Sequence, residues 1–162
     1  MALLGGCEVL LKFDEAPVPI DAPIDAQFAQ AECDYLEPND SLETAAAITA
    51  TDVGPAAICV TDATTTTGGD TDFYKFTVPA GTTRVDVKIS FTNRPSGDLD
   101  LRLLDAAGVM KARSSGFGDG EEIVCPALSP QCDALPAGDY VFQVYPALPG
   151  SVNRYDIALT LQ

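Results

Sequence analysis

Residues 37–41, Glu-Pro-Asn-Asp-Ser, place two carboxylates, a carboxamide and a hydroxyl around a single proline. Carboxylate and amide oxygens are the ligands that a hard metal ion takes in proteins. The same side chains also cap helices, because their oxygens accept hydrogen bonds from the free N–H groups of a first turn. The segment therefore indicates either a helix N-terminus or one half of a metal site whose other half lies elsewhere in the chain.

A second pair of acids, Asp98 and Asp100, alternates with leucines in GDLDL. This alternation predicts that the two carboxylates lie side by side on the strand face opposite the leucines. Such a pair can perform acid–base chemistry, but the chain has no histidine and the sequence shows no partner group for the pair. We therefore expect a structural role for these carboxylates and a protein that is not an enzyme.

The first cysteine, Cys7, lies close to the N-terminus behind Leu4-Gly5-Gly6. These four residues resemble the lipobox of bacterial lipoproteins, in which the cysteine is acylated after the signal is cleaved. The resemblance implies lipidation at Cys7 and an exported protein held at the bacterial cell envelope or surface.

The other four cysteines form an even number, which suits two disulfides in an exported protein. Two of them, Cys125 and Cys132, flank PALSPQ, a segment rich in turn-forming residues. We expect these two to pair, which leaves Cys33 and Cys59 to pair with each other. Four reduced thiols in a cytosolic protein are the alternative.

The chain divides near residue 34. Residues 1–34 combine the lipobox-like start with an acidic segment that contains prolines and the near-repeat PIDAPIDA, and they are predicted to form an extended tether. Alternatively, EVLLKF within this tail is a strand that pairs with its own domain or with a neighbouring copy. Residues 35–162 are predicted to form one domain.

The domain is predicted to be all-β because apolar residues recur at every second position in five segments. Turn-forming residues separate these segments, which indicates an antiparallel β-sandwich of jelly-roll-like kind. One short helical turn is expected over Ser41 to Ile48, with Asn39 or Asp40 as its N-cap, and GFGDGEE at residues 116–122 is expected to be a loop. The five segments are TRVDVKISF, DFYKFTV, DLDLRLL, DYVFQVY and RYDIALTL.

Five stretches of the chain, taken in order, are similar to the bacterial pre-peptidase C-terminal domain: EPNDSLETAAAI, GGDTDFYKFTVPAGT, GDLDLRLLDAAG, LPAGDYVFQVY and YDIALTL. This family of small β-sandwiches is usually appended to secreted peptidases and is related to the collagen-binding modules of clostridial collagenases. The resemblance covers residues 35–162. It implies a free-standing copy of the domain, since no peptidase domain accompanies it in this sequence.

The resemblance also implies a calcium site, formed between an acidic N-terminal segment and an acidic loop that precedes an aromatic strand. The matching residues of this chain are Glu37, Asn39, Asp40, Asp70 and Asp72. Calcium is therefore the expected cofactor. A helix cap together with ordinary turn aspartates accounts for each cluster separately, but not for the occurrence of both.

The net charge of −15 argues against nucleic acid and anionic membrane surfaces as partners, because both require a positive field. Contact with a membrane is expected only through the lipid anchor. We expect a calcium-stabilised module that acts in adhesion or recognition of an extracellular protein or polysaccharide. Tyr145 is the candidate contact residue, with core packing of a second sheet as the alternative role. The alternative function is a structural subunit whose N-terminal tail pairs with neighbouring copies.

Overall fold

Two β-sheets share one hydrophobic core in the computed structural model, which describes residues 36–50, 53–58, 70–93, 97–127 and 132–162. These described residues contain nine strands. The strands are β1 (Ala46–Ala47), β2 (Val53–Ile58), β3 (Asp72–Val78), β4 (Val85–Ser90), β5 (Leu99–Asp105), β6 (Met110–Ser114), β7 (Gly120–Cys125), β8 (Gly138–Pro146) and β9 (Asn153–Leu161).

The first sheet has the strand order β1-β3-β8-β5-β6, and the second has the order β2-β9-β4-β7. Every pairing is antiparallel except that of β1 with β3, which is parallel. The predicted antiparallel β-sandwich is therefore confirmed. Among the described residues, no helix is long and apolar enough to cross a membrane.

The five segments with period-two alternation correspond to β3, β4, β5, β8 and β9. The side chains at their alternating apolar positions point between the sheets and are buried, except that Leu161 at the end of β9 is only half-buried. A separate apolar cluster on the outer face of the first sheet is formed by Leu104, Val141 and the half-buried Phe73. Aromatic rings from neighbouring strands meet in this core: the ring of Phe142 stacks on that of Tyr74 with centroids 5.0 Å apart. Burial of this apolar surface supplies the main stabilisation of the sandwich.

The helical turn predicted over Ser41 to Ile48 is not found. Residues 41–44 form a turn in which Ser41 and Thr44 exchange hydrogen bonds, and the Thr44 N–H donates to the Ser41 carbonyl at 3.2 Å. The next residues pair with β3, since Ala46 lies opposite Tyr74 and the Ile48 N–H donates to the Lys75 carbonyl. The helix propensity of an alanine run is a weak preference, and here pairing with the sheet overrides it.

The predicted loop over residues 116–122 is wrong in its last three residues, which begin β7. This strand has the inward alternation of a half-buried strand, but its first inward residue is Glu121 rather than an apolar residue. Gly120 is required at the start of β7, because a Cβ there would collide with the carbonyl oxygen of Ile89 on β4. The acidic and glycine-rich composition concealed this strand from a search for apolar periodicity.

A disulfide joins Cys125, at the end of β7, to Cys132, and their Cα atoms are 5.2 Å apart. This pairing agrees with the one predicted from the turn-rich segment between them. Cys7, Cys33 and Cys59 lie outside the described residues, as does the tail over residues 1–34. Lipidation at Cys7, the second disulfide and the tether therefore stay predictions.

Candidate metal centre

Three carboxylates from two distant parts of the sequence meet at the start of β3. Oxygen atoms of Glu37, Asp40 and Asp70 all lie within 4.8 Å of one another. Asp40 is exposed, Glu37 is half-buried and Asp70 is 4% exposed. The fold therefore brings the two acidic clusters of the sequence together at one point.

Backbone hydrogen bonds hold the first cluster against β3. The N–H of Asn39 donates to Oε2 of Glu37 at 3.0 Å, and the N–H of Phe73 donates to the Asn39 carbonyl at 2.8 Å. On the other side, the N–H of Thr71 donates to Oδ1 of Asp70 at 3.0 Å. Residues 37–40 are thus fixed in position beside the aspartates that precede and begin β3.

The side chain of Asn39 is fully buried, at 0% exposure. Neither its Oδ1 nor its Nδ2 has a hydrogen-bond partner among the described residues. A buried carboxamide without partners is costly, because both groups lose their hydrogen bonds to water. An oxygen ligand to a cation would have this environment before the cation binds.

Two buried tyrosines hold the side chain of Asp72, the first residue of β3. Oδ2 of Asp72 accepts hydrogen bonds from the hydroxyls of Tyr155 and Tyr74, and the two hydroxyl oxygens are 2.7 Å apart. Burial, followed by the negative charge of Asp72, raises the pKa of Tyr155 well above its usual value. The phenol therefore stays protonated and donates to the carboxylate.

These two hydroxyls are the part of the site that the sequence did not reveal. Alternation identified Tyr74 and Tyr155 as core residues, which they are, but it could not show that strands 81 residues apart bring both hydroxyls to Asp72. The residue type could have indicated this contact, because a tyrosine at an inward position needs a polar partner for its hydroxyl.

The arrangement as a whole is suited to binding a hard cation. Close carboxylates repel one another when ionised, so each raises the proton affinity of the next unless a positive charge lies between them. Calcium binds carboxylate and amide oxygens in flexible geometry. The carboxylates of Glu37, Asp40 and Asp70 and the carboxamide of Asn39 are ligands of this kind, so the residues present fit the ion. Asp72 is not a member of the group defined by the 4.8 Å separation, although it is adjacent to that group in sequence.

Tyr145 lies on the outer face of the five-stranded sheet rather than in the core. It is half-buried, and the guanidinium carbon of Arg102 lies 4.0 Å from the centre of its ring. Burial raises the pKa of Tyr145, while its hydrogen bond with Arg102 opposes that rise. Its neighbour across the strands is Asp100, whose pKa is raised by burial and also by the charge of Asp98.

Glu121 is a buried carboxylate at the start of β7, 5% exposed, and it accepts a hydrogen bond from the hydroxyl of Ser114. Burial raises its pKa above the ordinary 4.5, and the charges of Asp100 and Asp98 add to the rise. The folded protein therefore holds this proton more tightly than the unfolded chain does. Its contribution to stability is greatest below pH 4.5 and is lost as the pH rises from 4.5 through the raised pKa.

Glu121→Gln is therefore expected to reduce the loss of stability that accompanies this rise in pH. The measurement is the thermal unfolding midpoint in chelator, at steps from about pH 4 to pH 7, for wild type and variant. Glu122→Gln is the matched control, since Glu122 is the exposed neighbour on the same strand. A constant difference between the Glu121→Gln and wild-type midpoints across this range would contradict the prediction.

Comparison with known proteins finds a family model that matches the central part of the chain. Residues 70–146 match the model of the bacterial pre-peptidase C-terminal domain, the family that the motifs resemble. Among solved structures, the pre-peptidase C-terminal domain of a collagenase from Bacillus anthracis is similar with 19% identity and a TM-score of 0.47. That similarity covers 70% of this chain and 92% of the other. No curated protein matches the chain.

Proposed function

We propose that this chain provides a non-catalytic, calcium-stabilised β-sandwich module that acts in adhesion or recognition outside a bacterial cell. The observation that carries the calcium proposal is the approach of the Glu37, Asp40 and Asp70 oxygens to within 4.8 Å of one another. The buried carboxamide of Asn39 gives independent support, since neither of its polar atoms has a hydrogen-bond partner among the described residues.

The ion would be held by the side chains of Glu37, Asn39, Asp40, Asp70 and Asp72. Calcium supplies positive charge that offsets carboxylate repulsion, and it cross-links the groups that bind it. Here the linked parts would be the segment before β1 and the start of β3. The protein's own hydrogen bonds already hold these parts side by side, so little rearrangement is needed for binding.

The recognition role is supported by the outer face of the five-stranded sheet. Phe73, Gln143 and Arg102 stand in register on the neighbouring strands β3, β8 and β5, and Tyr145 packs against Arg102. Aromatic residues and arginine are enriched at protein interfaces, and a tyrosine adds contact area at low entropic cost. The proposed partner is a protein or polysaccharide outside the cell.

Export of the protein is supported by the disulfide and by the lipobox-like start. Cys125 and Cys132 are joined by a disulfide bond, and such bonds persist in oxidising compartments. Acylation of Cys7 would hold the module at the cell envelope. The cell surface is accordingly the proposed location.

Calcium is expected to raise the thermal unfolding midpoint of the full chain. A ligand that binds only the folded state stabilises it by mass action, and at a hundredfold excess over Kd the gain is about 2.7 kcal/mol, or roughly 5 to 10 °C for a domain of this size. The measurement is the midpoint in calcium chloride and in chelator. Asp40→Asn should reduce the difference, because it removes the negative charge of an exposed ligand without disturbing the core.

Asp139→Asn is the matched control for loss of one negative charge. Asp139 is exposed and lies opposite Thr77, at the far end of the β3–β8 ladder from Asp72. This variant should keep the full calcium effect. Equal midpoints of the wild-type chain in calcium and in chelator would contradict the proposed cofactor, while leaving the fold and the recognition face unaffected.

A further inference from the structure

A second acidic feature lies beside the start of β5, apart from the candidate metal centre. It is a cleft of about 480 Å³ whose lining includes the acidic residues Asp98 and Asp100 and the apolar residues Phe117 and Leu148. Asn93 also lines the cleft. The cleft thus combines negative charge with apolar surface.

The apolar side of the cleft is unusually exposed. The ring of Phe117 is 94% exposed, and the side chain of Leu148 is 61% exposed. A phenylalanine is normally buried on folding, because its exposure forfeits about 1.5 to 3 kcal/mol of hydrophobic stabilisation. Exposed apolar groups beside a polar cleft are typical of interaction sites.

The loop that carries Phe117 is fixed rather than loosely attached. The side-chain amide of Asn93 donates to the Phe117 carbonyl at 2.8 Å, and the Asn93 N–H donates to Oδ1 of Asp119 at 2.8 Å. The N–H of Phe91 donates to the Asp119 carbonyl at 3.0 Å. The ring is therefore presented beside the carboxylates before any partner arrives, which lowers the entropic cost of binding.

The acidic side of the cleft holds an oxygen that lacks a partner. Oδ1 of Asp98 is buried and accepts no hydrogen bond from the described residues. Arg102, which follows Asp100 by two positions on β5, lies over the ring of Tyr145. Burial raises the pKa of Asp100 and the charge of Asp98 adds to the rise, while a hydrogen bond with Tyr145 and the charges of Arg102 and Arg113 oppose it.

We propose that this cleft binds an arginine side chain of a partner polypeptide, with the guanidinium on Asp98 and Asp100 and its flat face against Phe117. A guanidinium pairs with carboxylates through two parallel hydrogen bonds and also stacks on aromatic rings, so it matches both sides of the cleft. The net charge of −15 favours approach of a basic partner. The inference rests on the recognition part of the proposed function and not on calcium.

A metal ion fits the cleft less well than an arginine. Calcium needs six to eight oxygen ligands, whereas most of this cleft is apolar and would make no contact with an ion. The exposed ring of Phe117 would have no role in such a site. An arginine uses the carboxylates and the ring together.

The test is a titration of the full chain with the blocked peptide acetyl-Gly-Arg-Gly-amide, followed by two-dimensional amide NMR. The expected result is saturable shifts of the amide signals of Asp98, Phe117 and Leu148, both in calcium and in chelator. The same peptide with citrulline in place of arginine is the matched probe, because citrulline keeps the shape and hydrogen-bonding edge but carries no charge. It should bind about tenfold more weakly or worse.

Three variants separate a specific site from general attraction to an acidic protein. Asp98→Asn and Phe117→Ser should each weaken the binding of the arginine peptide, the first by about tenfold. Phe117→Ser leaves the fold intact because the ring is exposed. Asp139→Asn, which removes an equal charge at the far end of the sheet, should leave the binding unchanged.

The proposal is overturned by any of three results. These are equal binding of the citrulline peptide, equal weakening by Asp139→Asn, and displacement of the arginine peptide from the cleft amides by calcium chloride. The last result would identify the cleft as an ion site. Failure of the calcium effect on the unfolding midpoint, by contrast, would leave this proposal intact, because the peptide titration is read in chelator as well.

Discussion

Asp72→Ala is expected to lower the unfolding midpoint in chelator and also to abolish the calcium-dependent rise. The first effect arises because the substitution removes the acceptor for the buried hydroxyls of Tyr155 and Tyr74. Leaving a buried donor without its acceptor costs about 1 to 3 kcal/mol. The second effect follows if Asp72 is a calcium ligand. The measurement is thermal unfolding of the full chain with calcium and with chelator.

The comparison with Asp40→Asn makes this prediction specific. Asp40 is exposed, so its substitution should reduce the calcium effect while the midpoint in chelator stays close to that of wild type. Asp72→Ala should lower the midpoint in chelator and should also abolish the calcium-dependent rise. If Asp72→Ala keeps the full calcium-dependent rise, Asp72 is only a hydrogen-bond acceptor for the tyrosines, and the ligand set reduces to the first segment and Asp70.

Tyr155→Phe gives the converse comparison within the same network. It removes one donor to Asp72 while keeping the ring and the carboxylate. The ring of Tyr155 is 2% exposed, so its packing is retained. A reduced calcium-dependent rise in this variant would mean that the phenol orients Asp72 toward the ion.

Phe142→Ala is expected to destabilise the domain by about 3 to 5 kcal/mol, the largest effect of a single substitution that we predict. Phe142 is 0% exposed on the central strand of the five-stranded sheet, and its ring contacts those of Tyr74 and Phe76 on β3 at centroid distances of 5.0 and 6.2 Å. Truncation removes these contacts and leaves a cavity that the sheets cannot close. Since domains are stable by only about 5 to 15 kcal/mol, a large share of the total is lost.

Chemical denaturation of wild type and variant measures this loss, and Phe117→Ala is its control. The same substitution at Phe117 should change the free energy of unfolding by less than about 0.5 kcal/mol, because that ring is 94% exposed. Similar losses in the two variants would contradict the placement of Phe142 at the core of the sandwich.

The amino-acid sequence by itself determined five strands in which apolar residues recur at every second position, namely β3, β4, β5, β8 and β9. Side chains alternate between the two faces of any strand, so Val85, Val87 and Ile89 on β4 reveal their strand without knowledge of its neighbours. The pairing of Cys125 with Cys132 was also predictable, since the two cysteines lie only seven positions apart in the sequence. The segments before β1 and β3 could also be identified as candidate ligand segments, because acidic and amide side chains are concentrated in them.

Other features depend on contacts between distant residues, which override the local secondary-structure preference. Only the tertiary structure decided these features. The alanine run after Ser41 favours a helix by propensity, yet Ala46 pairs with Tyr74 because the edge of β3 offers backbone hydrogen bonds. β7 was concealed because its first inward residue is Glu121, which is tolerated there through the hydroxyl of Ser114 on β6.

The strand order and the candidate metal centre depend on the same kind of information. Insertion of β9 between β2 and β4 brings Tyr155 to Asp72, and pairing of residues 46–47 with β3 brings Asp40 to Asp70. The residue types indicate which chemistry is available, and the local periodicity predicts on which face of its strand each side chain lies. Which side chains meet depends on how the strands pack across the core, because contacts between distant residues form only when the whole set of strands buries its apolar faces together.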